Sequence, residues 1–167
     1  MKNSILIIFL LYFKIYSSFF CECAYIKSIK DSFTEANFVA TGKVKKIEYI
    51  NIPNSKEKKI KHSQSIEEIL SIPNGIPLAK VTLEIIETFK GKKRNKRIIY
   101  TTIGGGSCGF SFITNNDYLI YAYKENYLND ELKKYNRKFK NALHTNYCTR
   151  TKAYNKKEIR TIKKLIR

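Results

Sequence analysis

The chain has 167 residues, 32 Lys+Arg against 14 Asp+Glu, a formal charge of +18 and 43% hydrophobic residues. That apolar content excludes a disordered basic tail, and the length gives room for one domain with a sizeable core. The charge predicts attraction to polyanions (nucleic acid, anionic lipid or acidic polysaccharide) without choosing among them, and the abundance of Lys, Asn and Ile fits genomic base composition as well.

Met1-Lys2 gives a positive start, and SILIIFLLYF, Ser4 to Phe13, is an apolar run of ten residues. Signal-peptide cores run about 7–15 residues, whereas a membrane span needs about 20, and Lys14 interrupts the run. We therefore expect residues 1–20 to be a secretory signal, with an uncleaved anchor as the alternative. The mature protein is then secreted, extracellular or periplasmic, with no stable membrane span after cleavage. Phe20 is a poor residue to precede a cleavage at Cys21, and Ser17 or Ser18 suits better, so the mature N-terminus stays open.

Export gives the four cysteines Cys21, Cys23, Cys108 and Cys148 a meaning. In an oxidising compartment an even count reads as a disulfide framework, for which three connectivities exist. Cys21 with Cys23 is the least favoured, because residues i and i+2 of an extended chain point the same way and a bridge would be strained. Both then reach across the fold to Cys108 and Cys148. A zinc site is the rival reading, and C-x-C with two isolated partners is poor spacing for it.

Ile26 to Glu35 reads as a short helix. ANFVATGKVKKIEYI, Ala36 to Ile50, alternates Phe38, Ala40 and Val44, with Gly42 as a bulge or bend. Residues 51–77 turn polar and charged and are punctuated by Pro53, Pro73, Gly75 and Pro77. That predicts a long loop with a helical turn at Ser65 to Leu70, where Ser65 and Glu68 form a capping-box pair. AKVTLEIIETFKG is a strand with Val81, Leu83 and Ile85 on one face. A basic turn follows, Gly91 to Arg97, and then the β-branched and aromatic run Ile98 to Ile103. GGGSCGF, Gly104 to Phe110, is a glycine loop carrying Cys108. FSFIT, the turn NND and YLIYAY predict a hairpin. Lys124 to Lys140 is a polar excursion. LHTNYCTR brings in the last cysteine, and Ile159, Ile162, Leu165 and Ile166 mark a basic helix with one apolar face. Five strands, unequal loops and a closing helix suit a small all-β barrel of the OB type, whose closure removes edge strands.

The order C-x-C after a signal, a helix, NFVATGKV, VTLEIIETFKG, the SCGF loop, DYLIYA and a late C-x-R-T resembles the netrin-like fold. Within it the pattern is most similar to the N-terminal domain of tissue inhibitors of metalloproteinases. The resemblance covers residues 21–152, and 153–167 are left as a C-terminal basic helix packing on the barrel. It implies a five-stranded Greek-key OB barrel with flanking helices, and the bridges Cys21–Cys108 and Cys23–Cys148. The third bridge of the animal domain has no cysteines here, and the animal inhibitors' extra C-terminal subdomain has no counterpart.

The resemblance also implies a function. In the animal inhibitors the C-x-C segment is the mature N-terminus and wedges into the protease cleft, where the first cysteine's α-amine and carbonyl chelate the catalytic zinc. Such ligands displace the water that the metal would activate. Carried over by position, the inhibitory ridge is Cys21, Glu22, Cys23 and Ala24 with Gly106, Ser107 and Cys108. Cys21 is the chelator, on condition that it is the mature N-terminus, and Glu22 points into the primary specificity pocket. The zinc belongs to the target; no cofactor of the chain's own is expected. The leading partner is a zinc metalloprotease. The alternative is an adhesion module without inhibitory activity, holding acidic polysaccharide or envelope polymers through Lys90, Lys92, Lys93, Arg94, Lys96 and Arg97.

Enzyme chemistry is not expected. GGGSCGF lacks the G-x-S-x-G order and the P-loop lysine. His62 and His144 are too few and too far apart in sequence for a triad or metal cluster. OB-type barrels do bind single-stranded nucleic acid, but an exported chain seldom meets it, so no nucleic-acid partner is expected.

Overall fold

The computed structural model describes residues 21, 23–53, 59–104, 107–124, 139 and 141–167. The expected signal and the excursion at 125–138 lie outside them. The described chain runs α1 (Ile29–Glu35), β1 (Phe38–Pro53), β2 (Lys61–Ser63), α2 (Ile66–Leu70), β3 (Gly75–Lys90), β4 (Lys96–Thr102), β5 (Asp117–Ala122), a 3-10 turn (Tyr147–Thr149), β6 (Lys152–Ala153) and α3 (Lys156–Leu165).

The strands form one antiparallel sheet in the order β4-β3-β1-β5-β6, with β2 added on β1. The long β1 pairs with β3 along its whole length and with β5 at Phe38 to Lys43, shifting register at Val39/Ala40, Thr41/Gly42 and Val44/Lys46. Such bulges bend and twist a strand, which lets one strand serve a curled sheet. The two ends of that sheet are joined by residues 143–145. Tyr100 N–H donates to Leu143 O and Thr145 N–H to Tyr100 O, at 2.8 and 3.0 Å. His144 and Tyr123 exchange both backbone bonds, at 2.8 and 2.9 Å. The result is barrel-like.

Alternation explains the core. Phe38, Ala40, Val44, Val81, Leu83, Ile99, Tyr118 and Ile120 face inward together. The opposite residues Val39, Leu119 and Tyr121 meet Phe89 and the Ile159 and Ile162 stripe of α3. Asp117–Ala122 therefore buries both faces, which is why YLIYAY reads as an unbroken apolar run.

Two sequence expectations change. The loop expected over 51–77 is shorter, because β1 continues to Pro53 and β3 begins at Gly75. Pro77 lies inside β3, yet its carbonyl accepts from Ile103 N–H, so its side of the backbone faces away from β1. The missing proline N–H falls just beyond the β4 ladder, which ends at Leu78, and costs the β1 pairing nothing. The expected hairpin lacks its first strand. Phe110 N–H donates to Thr101 Oγ1 at 2.7 Å and Ile113 N–H to the Tyr118 hydroxyl at 2.9 Å. Side chains thus take bonds that a partner strand would have supplied, while Phe110 and Phe112 pack edge-on against Tyr118.

Candidate functional site

Cys21 is bonded to Cys108 and Cys23 to Cys148, the pairing that the resemblance implies. The two bridges lie side by side, with Cys21 Sγ 4.0 Å from Cys148 Sγ. Cys21 and Cys23 thus meet residues 107–109 and 147–148 at one place. All four cysteines are partly exposed. The sulfurs of Cys21, Cys23 and Cys148 lie within 4.8 Å of one another, but a disulfide offers a metal no thiolate, so this is no zinc site.

Local chemistry holds the glycine loop in place. Ser107 Oγ donates to Gly104 O at 2.8 Å, and Thr102 Oγ1 donates to Ser107 O at 3.1 Å. Cys108 has a φ of 29°, a conformation that costs energy for a residue with a side chain. A Cβ on Gly109 would sit 1.7 Å from Thr102 O, so only glycine lets the loop lie this close to β4. Tyr147 N–H donates to Cys108 O at 3.0 Å, fastening the 147–148 segment to the glycine loop. Asn146 caps that segment's 3-10 turn by accepting from Cys148 N–H, and Arg150, at φ 64°, ends it.

Of the expected ridge residues, Cys21, Cys23, Ser107 and Cys108 are brought together, with Ala24 exposed directly after Cys23. Glu22 and Gly106 lie outside the described residues. Tyr25 and Ile26, next along the chain, are 69% and 62% exposed, and Tyr147 is 49% exposed. A groove of about 380 Å³ opens beside the bridges, lined by Cys21, Cys108, Phe110, Tyr147 and Ile103.

A buried network that the sequence reading missed links the segment after Cys23, at Lys27, to the turn after Cys148 and to α3. Arg150 donates to Lys27 O at 2.8 Å and, through Nε and Nη2, to both Glu158 carboxylate oxygens at 3.0 and 2.9 Å. Lys152 and the Tyr121 hydroxyl donate to the same carboxylate at 2.7 and 2.8 Å. Burial pushes the Glu158 carboxyl up, but the hydrogen bonds from Arg150, Lys152 and Tyr121 outweigh it and hold the group below its ordinary value. Only the helix start was legible locally: Asn155 and Glu158 have capping spacing, and Asn155 Oδ1 accepts from Glu158 N–H at 2.9 Å.

The six basic residues of the hairpin are not one cluster. Lys90 donates to Phe33 O and Thr34 O, at 2.9 and 2.6 Å, at the end of α1. Arg97 lies over the Phe38 ring, 5.0 Å from its centroid, and donates to Lys92 O. Burial, then the nearby Arg94, push the Arg97 guanidinium below its ordinary value. Lys92, Arg94, Lys96 and Arg97 line a second groove, of about 800 Å³, together with Lys124. Lys93 is exposed outside it. His62 is exposed on β2, while His144 is buried in the seam with its ring 5.8 Å from that of Tyr100.

No protein-family model matches the chain, and no curated protein matches it either.

Proposed function

We propose that this is a secreted, netrin-like protein with a Greek-key OB barrel that inhibits a zinc metalloprotease through the ridge at Cys21. The observation that carries the reading is the pair of adjacent disulfides, which ties an exposed N-terminal segment to the glycine loop. A segment held this way has already lost most of its conformational entropy, so little more is lost on docking. Exposed Tyr25, Ile26 and Tyr147 give the ridge apolar flanks of the kind that partners cover. The active form begins at Cys21, whose α-amine and carbonyl chelate the target's zinc. Glu22 enters the primary pocket, so a target with a basic or polar pocket is favoured over an apolar one.

The test is a chain whose N-terminus at Cys21 is verified by mass spectrometry, assayed against a panel of zinc endopeptidases. One added Ala before Cys21 turns the amine into an amide and should abolish inhibition while leaving the bridges intact. Glu22→Leu should broaden inhibition towards enzymes with apolar pockets. Equal inhibition with and without the added Ala would rule out the chelating wedge, and inhibition of no enzyme by the verified N-terminus would rule out the function.

A further inference from the structure

The two bridges are close enough to react with each other. Cys21 Sγ lies 4.0 Å from Cys148 Sγ, and the sulfurs of Cys21, Cys23 and Cys148 all lie within 4.8 Å of one another. All four cysteines are partly exposed, so a small thiol reaches them. Cys108 also sits in a strained backbone conformation, at φ 29°. Its bond to Cys21, the Tyr147 N–H on its carbonyl and the close approach of Gly109 to Thr102 O hold it there. Strained or exposed disulfides are the labile ones, and the Cys21–Cys108 bridge meets both conditions.

We propose that Cys108 is a site of reversible S-thiolation by an anionic low-molecular-weight thiol, and that the second bridge carries the reaction on by exchange. The incoming thiolate attacks Cys108 Sγ. A new S–S bond forms there as the Cys21–Cys108 bond breaks, and the electron pair leaves on Cys21 Sγ. Freed to turn about its Cα–Cβ bond, the Cys21 thiolate attacks Cys148 Sγ. Cys21–Cys148 forms as Cys23–Cys148 breaks, and the thiolate ends on Cys23. One thiolate is consumed and one is released, so the sequence needs no oxidant or reductant. Attack on Cys21 would instead free Cys108, which is not among the three clustered sulfurs, so only attack at Cys108 leads on. The formal charge of +18 favours a thiol that is itself anionic. The exchange passes the Cys21 tether from the glycine loop to the 3-10 turn at Tyr147–Thr149. It rests on the bridges' positions alone and stands whether or not the chain inhibits a protease.

The probe is glutathione, added at about one equivalent and about pH 8, where a thiol is partly ionised, to the full chain with both bridges formed. Free thiols are then trapped with N-ethylmaleimide, and the chain is mapped by non-reducing peptide mass spectrometry. The expected species carries glutathione on Cys108, a bond between Cys21 and Cys148, and maleimide on Cys23. Cysteamine, a cationic thiol, should form the corresponding species about tenfold more slowly at low salt. Glutathione on Cys108 with Cys23–Cys148 intact would mean that the bridges do not exchange, and the proposal falls. It falls equally if no cysteine takes up glutathione, or if cysteamine reacts as fast. The same yield of Cys21–Cys148 in guanidinium-unfolded chain would mean random scrambling rather than a relay set by the fold, and would overturn the proposal too.

Discussion

His144 joins the two ends of the sheet through its backbone, and its ring lies 1% exposed with neither nitrogen hydrogen-bonded among the described residues. Burial pushes its pKa down from 6.5 to about 4. The unfolded chain takes up a proton below pH 6.5, but the folded chain does so only near pH 4. Unfolding therefore gains protons in that window, and stability falls as the pH falls through it. The fully developed loss is about 3 kcal/mol. We expect His144→Leu to flatten stability between pH 6.5 and 4, measured as urea midpoints across the window. A variant that loses stability as steeply as the parent would assign the slope to other groups. Glu158 acts in a lower window: its pKa lies below the 4.5 of an unfolded glutamate, so its contribution is present above pH 4.5 and is lost as the pH falls through the folded value.

Helix α3 and the turn after Cys148 are one structural unit, because Glu158 of the helix holds Arg150 of the turn and Arg150 holds the carbonyl of Lys27. Removing one partner of a buried pair leaves an uncompensated charge, so Glu158→Gln should cost about 3–5 kcal/mol. Hydrogen exchange should show α3 and the 3-10 turn opening together. Protection lost in α3 alone would mean that the network does not couple them. At this scale the sequence was informative where periodicity spoke: the bulge at Gly42, the cap at Ser65 and the Ile159–Ile162 half of the α3 stripe lie where alternation or capping chemistry put them, while Leu165 and Ile166, expected on the same apolar face, are exposed. It was silent where a tertiary partner decided. Pro77 reads as loop until the edge its missing N–H faces is known, and Phe110 to Ile113 reads as strand until Thr101 and Tyr118 take its bonds. The four cysteines were legible as a disulfide framework because an expected signal and an even count leave few pairings. The Arg150–Glu158 pair was not, since nothing local marks two charges for burial. The division of the basic hairpin was hidden too, because only the fold sends Lys90 to the end of α1 and Lys96 to a groove.

Across the whole molecule, 32 Lys+Arg face 14 Asp+Glu, so the folded chain concentrates a formal charge of +18. Glu35, Glu48, Glu84, Glu87, Asp117 and Glu158 each already hold a lysine or arginine, leaving most cations with nothing opposite among the described residues. Compaction brings those like charges together, and self-repulsion opposes it. The mostly exposed pairs are worth little each, about 0–1 kcal/mol, so salt removes more repulsion than attraction. Raising sodium chloride from about 0.01 to 1 M shortens the screening length from about 30 to 3 Å. The thermal midpoint should therefore rise by several degrees, each kcal/mol corresponding to about 2–4 °C at this size. Arg94→Glu with Lys96→Glu separates general repulsion from anions bound in one groove: four units of charge are removed, so the rise should shrink but persist. Loss of the whole rise in that double variant would place the effect in the groove. A midpoint that falls with salt in the parent would mean that the ion pairs outweigh the repulsion.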